Sequence, residues 1–159
     1  MSVITAPQAT FGLALARAAE AMLRALGGSE VALRFTSPAD AGDDDRHLGL
    51  AAPRESDVAV APVVVRSLPP DKPQPGAPPS WRSERVGSSG ATRPQQRLEL
   101  LFPAAAISAQ VEARQAGSAE ELFASALGVV VQGRMLRIEG VFPQYFAGTA
   151  YLYAVIAVQ

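Results

Sequence analysis

VVVQGRMLRIEGVFPQYFAGTAYLYAVIAV, residues 129–158, is the stretch whose reading decides the fold. Gly133 sits where a tight turn is needed, and Pro143 to Gly148 reads as a second, longer loop. The stretches between these breaks alternate or run continuously apolar, which predicts a three-stranded meander with later strands over 134–142 and 149–158. A meander of this kind predicts a small β-barrel or sandwich. No catalytic motif interrupts it, so the segment points to a structural or docking part rather than to an enzyme.

Upstream, Thr10 is placed to cap a helix over Phe11 to Leu26, giving a helical span of 10–27. Phe11, Leu15, Ala18, Ala19, Met22 and Leu26 recur at three- and four-residue spacing, with Arg17, Glu20 and Arg24 on the other side. Gly27 and Gly28 supply the left-handed stop. That apolar stripe requires cover from the chain's own sheet or from a neighbouring subunit. Residues 30–36 alternate Val31, Leu33 and Phe35 against Ala32, Arg34 and Thr36, the pattern of a strand with one buried face. Residues 58–68 are nearly continuous in β-branched side chains, and 96–102 alternate again. Ser118 and Glu121 form a capping box ahead of Leu122 and Phe123, and Gly128 is read as that helix's stop. Residues 104–115 are Ala-rich and open to a helical reading, but their periodicity is poor. The fold class expected is α+β, mainly β, as one domain over 1–159.

Two segments break the pattern, 37–57 and 69–95, and both read as mobile loops. The first holds six carboxylates against two arginines, while Asp71 to Arg97 carries five bases against two acids. Loops of such length inside a compact domain are uncommon unless functional or disordered, so these two are the expected partner-ordered surfaces.

Composition narrows the function classes. With 159 residues, 48% of them hydrophobic, the chain can bury a single sizeable core. A net charge of -1 supplies no global field for nucleic acid or an acidic membrane. The chain has no cysteine, which removes disulfides, thiol chemistry and thiolate zinc sites. The start MSVITAPQ lacks signal-peptide character, so a cytoplasmic product is expected. The apolar run 150–158 is too short for a membrane-spanning helix.

Asp43, Asp44 and Asp45 lack the alternate oxygen ligands, central glycine and terminal glutamate of a calcium loop, and read as a solvated acidic run. His47 is the only histidine, with neither a cysteine nor a serine motif beside it, so no catalytic or metal role is expected and no cofactor is assigned. Gly87-Ser-Ser-Gly90 reads as a flexible linker. Trp81, among Pro78, Pro79, Arg82 and Arg85, is the more telling residue, because Trp and Arg are enriched where proteins meet. With Arg93 it completes the candidate partner-contact set of Trp81, Arg82, Arg85, Arg93, Asp43, Asp44 and Asp45. Tyr145, Phe146, Tyr151 and Tyr153 are expected to pack within the final hairpin.

The order of parts, a helix ending LRALGG, a strand EVALRF, long loops, then GVVVQGRMLRIEGVF and GTAYLYAVIAV, resembles the head-completion or head–tail joining proteins of the neck of tailed bacteriophages and related prophage-derived particles. The resemblance implies a helix before a small barrel closed by a final hairpin strand. It also implies a non-enzymatic virion component, assembled in the host cytoplasm, that forms a ring of about six copies. Its implied partners are the portal or adaptor on one side and the tail tube or tail terminator on the other. Passing DNA would touch it transiently and without sequence preference, and no membrane is involved. The alternatives are a small barrel that binds a peptide or small ligand, and another tail part such as a terminator.

Overall fold

The computed structural model describes residues 6–37, 54–69 and 96–159. Its elements run α1 (Ala6–Ala25), β1 (Ser29–Ser37), β2 (Arg54–Leu68), β3 (Arg97–Pro103), α2 (Ala104–Arg114), α3 (Ala119–Ser125), β4 (Ala126–Val131), β5 (Arg134–Phe146) and β6 (Thr149–Val158). The strands form a closed antiparallel barrel in the order β1-β2-β3-β6-β5-β4. The fold is therefore α+β and mainly β, a barrel rather than a sandwich. Each half is a meander preceded by helix, and the halves are joined by β3 against β6 and β1 against β4.

The predicted meander is present, with one correction. Residues 143–148 are not a loop: β5 continues through Phe146 and reverses in two residues, Ala147 and Gly148, at φ 48° and 78°. Gln132 and Gly133 make the matching turn between β4 and β5 at φ 50° and 77°. Both are the left-handed pairs that fit the twist of a two-residue hairpin. Pro143 is accommodated because β5 from Gly140 onward pairs with β6 alone, and an edge position is where a strand accepts proline.

The other boundaries shift for identifiable reasons. Thr10 lies inside α1, which already begins at Ala6. The helix ends as expected, with Gly27 at φ 79° and the Gly28 N–H donating to the Leu23 carbonyl at 2.9 Å. Residues 54–57 belong to β2 and not to the acidic loop, because Arg34 on β1 pairs with Asp57 and Glu55. The Ala-rich segment is the helix α2, and Gln115 at φ 55° ends it. The capping box forms: Ser118 Oγ accepts from the Glu121 N–H at 3.1 Å, while Glu121 Oε2 accepts from the Gly117 N–H at 2.7 Å. Gly128, however, is not that helix's stop. It lies in β4, where a β-carbon would meet the Leu136 carbonyl oxygen, so glycine is required for close strand approach.

The barrel interior is filled by side chains. Leu33, Val63, Leu100, Phe102, Val129 and Val155 are fully buried there, and Ile107, Leu122 and Phe123 bring α2 and α3 onto one end. Phe123 meets Phe102 edge-on at 5.5 Å between ring centres. Outside the barrel, Leu23 of α1 packs on Val64, Leu101, Leu152 and Ala154. In consequence β6 is covered on both faces, and residues 152–158 are buried without a break. Gly128→Ala should lower unfolding stability by about 2 kcal/mol, and Ala147→Gly should raise it by about 1 kcal/mol by removing a left-handed alanine. Urea unfolding of the two variants measures both.

Candidate docking surface

The two ends of the barrel are chemically distinct. At the helix end lie α2, α3, the β5–β6 turn and the Ser37/Arg54 end of the β1–β2 pair. At the opposite end lie the β4–β5 turn and the row Leu68, Arg97, Val158 and Arg137, joined in register across four strands. β2 spans the barrel between them, from Arg54 at one end to Leu68 at the other.

Among the described residues, the helix end carries Glu55, Asp57, Glu112, Glu120 and Glu121 against Arg34, Arg54 and Arg114. The opposite end carries Arg66, Arg97, Arg134 and Arg137 against Glu30, Glu99 and Glu139. Two ion-pair groups fix these ends. Arg34 grips Asp57 with two bonds, Nε to Oδ1 at 2.7 Å and Nη2 to Oδ2 at 2.8 Å, and reaches Glu55 Oε2 at 2.8 Å through Nη1. Such a fork holds the Asp57 carboxyl below its usual range, first by hydrogen bonding and then by charge. At the other end a bulge after Ile138 turns Glu139 back between Arg97, at 3.0 Å, and Arg137, at 3.9 Å. This group lies over Val158 and ties β3 to β5 across β6.

Two clefts border the helix end. One of about 300 Å³ lies where β5 parts from β4, between Phe123, Ala124 and Leu127 on one side and Ile138 and Val141 on the other. The second, about 270 Å³, is lined by Phe35, Thr36, Gln115 and Arg114, whose guanidinium carbon sits 3.6 Å above the Phe35 ring. Burial lifts the Tyr153 hydroxyl above its usual range, with Glu120 and then Tyr145 adding charge repulsion. Among the described residues no group of three His, Cys, Asp or Glu is placed to hold a metal, and no helix is long and apolar enough to cross a membrane.

The apolar stripe of α1 divides. Gly12, Ala19 and Leu23 face the barrel, whereas Phe11, Met22 and Leu26 of the same apolar stripe are exposed. Phe11 is held to Phe146 at the hairpin tip, 5.7 Å between ring centres, beside exposed Tyr145. Of the four hairpin aromatics expected to pack, Tyr153 is buried and Tyr151 half-buried against Leu152's cluster, but Tyr145 and Phe146 face out. The outward aromatics lie past Gln144, where β5 extends beyond the covered part of the sheet.

The contact residues expected from sequence, Trp81, Arg82, Arg85, Arg93, Asp43, Asp44 and Asp45, lie outside the described residues, as does His47. Phe11, Ala18, Met22 and Leu26 are the exposed members of the stripe for which the sequence left two covers open, the chain's own sheet or a neighbouring subunit. The signal that distinguishes them is the width of the stripe: with Leu23 counted, apolar residues cover more of the helix than one sheet can bury. Comparison with protein-family models, with characterised proteins and with solved structures finds no match.

Asp57's depressed pKa contributes stability that is fully present above its unfolded value near 3.8 and is lost as pH falls through the lower folded value. Asp57→Asn should therefore lower the melting temperature at neutral pH and flatten its decline below about pH 4. A melting series from pH 2 to 7 on both proteins reads this; parallel acid limbs would contradict it.

Proposed function

We propose that the chain is a structural neck component of a tailed-phage or prophage-derived particle, joining the capsid portal or adaptor to the tail as part of the DNA conduit. The observation that carries this reading is a closed barrel whose two ends differ in the balance of acidic and basic side chains. A joint needs a different chemistry toward each partner, and among the described residues a helix end in which carboxylates outnumber arginines and a turn end in which arginines outnumber carboxylates are held a strand's length apart by β2. Copies set side by side in a ring would present all the acidic ends to one neighbour and all the basic ends to the other. The near-balanced net charge suits a conduit, because a strongly basic lumen would retain DNA by counterion release.

Contact specificity is assigned to the acidic segment between β1 and β2 and the Pro-rich basic segment between β2 and β3, with the barrel as their support. Leu68 and Arg97 are register partners, so a short turn can replace the segment between Pro69 and Gln96 without disturbing β2 or β3. That replacement should leave the melting temperature within a few degrees and abolish joining of heads to tails when the particle's structural genes are expressed together. Reversing the charge of Arg82, Arg85 and Arg93 should weaken assembly in the same assay. Normal particle yield from both variants would remove the basic segment from the docking surface and count against the joint.

A further inference from the structure

We propose that the outward flank of α1 is a self-association seam, and that its occupant is the same helix of a second copy, packed antiparallel about a two-fold axis near Ala18. The inference goes beyond the neck reading and does not depend on it.

The spacing points to a helix as the occupant. Phe11, Leu15, Ala18, Met22 and Ala25 follow one another in steps of four, three, four and three residues, which is the seam of a helix made to pack on another helix. The barrel already takes the adjacent stripe, Gly12, Ala19 and Leu23, so the seam lies beside the intramolecular contact and meets it only at half-buried Leu15 and at Phe11, which rests on Phe146 and is still about half exposed. On its open side the helix has Ala14 and Ala21, small enough for close approach. Arg17, Glu20 and Arg24 lie on the remaining side, with Glu20 and Arg24 paired at 2.6 Å. The seam itself is uncharged.

Its symmetry points to an identical partner. An antiparallel pair centred on Ala18 sets Leu15 against Met22 of the second copy, Phe11 against its Ala25 and Leu26, and Ala18 against its counterpart. Large side chains meet at the two ends and small ones at the crossing, so the surface is complementary to itself. A patch without charge also meets its own copy with no like-charge penalty. Phe11, Met22 and Leu26 are 52%, 48% and 53% exposed, and Tyr145 and Phe146 at the helix's N-terminal end are 60% and 53% exposed. Covering these and the alanines removes roughly 600 Å² per copy, on the order of 1,200 Å² in all, the lower end of what specific interfaces bury. That area predicts a reversible dimer of modest affinity.

The natural chain has no cysteine, so a single introduced thiol reports the geometry without background. Full-length Ala18→Cys should form a disulfide-linked dimer under mild oxidation, since a two-fold crossing brings the two residues within disulfide reach. Arg24→Cys, on the charged side, should cross-link at least tenfold more slowly. Sedimentation equilibrium of the unmodified protein should show a concentration-dependent dimer, and Ala18→Glu should weaken it at least tenfold while leaving the circular dichroism spectrum and melting temperature unchanged. A monomer at every concentration overturns the proposal, as does equal cross-linking of the two cysteine variants. A ring-sized species insensitive to Ala18→Glu overturns it too, because that contact would be heterologous.

Discussion

Everything else in this molecule rests on the closure of the sheet. Two three-stranded meanders would each present unpaired edges; joining β1 to β4 and β3 to β6 removes most of them and creates one interior. The interior is narrow enough for side chains to fill it, and Leu33, Leu100, Phe102, Val129 and Val155 reach in from strands on opposite sides. α2 and α3 then cover one mouth through Ile107, Leu122 and Phe123. β6 depends on this twice over, since its inner residues need the core and its outer residues need α1 and the Arg97–Glu139–Arg137 group.

Much of the fold was legible in the sequence wherever a residue's local preference and its tertiary role agree. The Gly133 turn, the Gly27 stop, the Ser118–Glu121 capping box and the alternation of Val31, Leu33 and Phe35 all belong to that class. The failures occur where tertiary structure overrides a local signal. Pro143 looks like a loop residue until β5 is seen to have a free edge there. Gly128 looks like a helix stop until Leu136 is seen to press against it. Ala147 carries no turn signal at all, because alanine seldom takes a left-handed conformation. Asp57 and Glu55 read as loop acids because Arg34, the partner that fixes them in a strand, is far away in sequence.

The surface was less legible than the core, for a related reason. Periodicity identifies apolar residues on a helix but does not say how many faces will be covered. In α1 the barrel uses the stripe through Ala19 and Leu23, leaving the stripe through Phe11 and Met22 to face outward beside the hairpin tip. The difference in charge balance between the barrel's ends was likewise hidden, because strand pairing and the docking of α2 and α3 bring together residues far apart in sequence, Asp57 and Glu120 at one end and Arg66, Arg97 and Arg137 at the other. The side surface along this flank of α1 is apolar, and the two end surfaces carry the charged side chains.

The proposal that the barrel is a joint between two partners is tested most directly by cryo-electron microscopy of tailed particles purified from the cells that produce this chain. The account predicts a ring of these barrels between portal and tail, with the α2–α3 end toward one neighbour and the β4–β5 turn end toward the other. A particle that lacks the chain, or holds it away from the head–tail junction, would contradict the account.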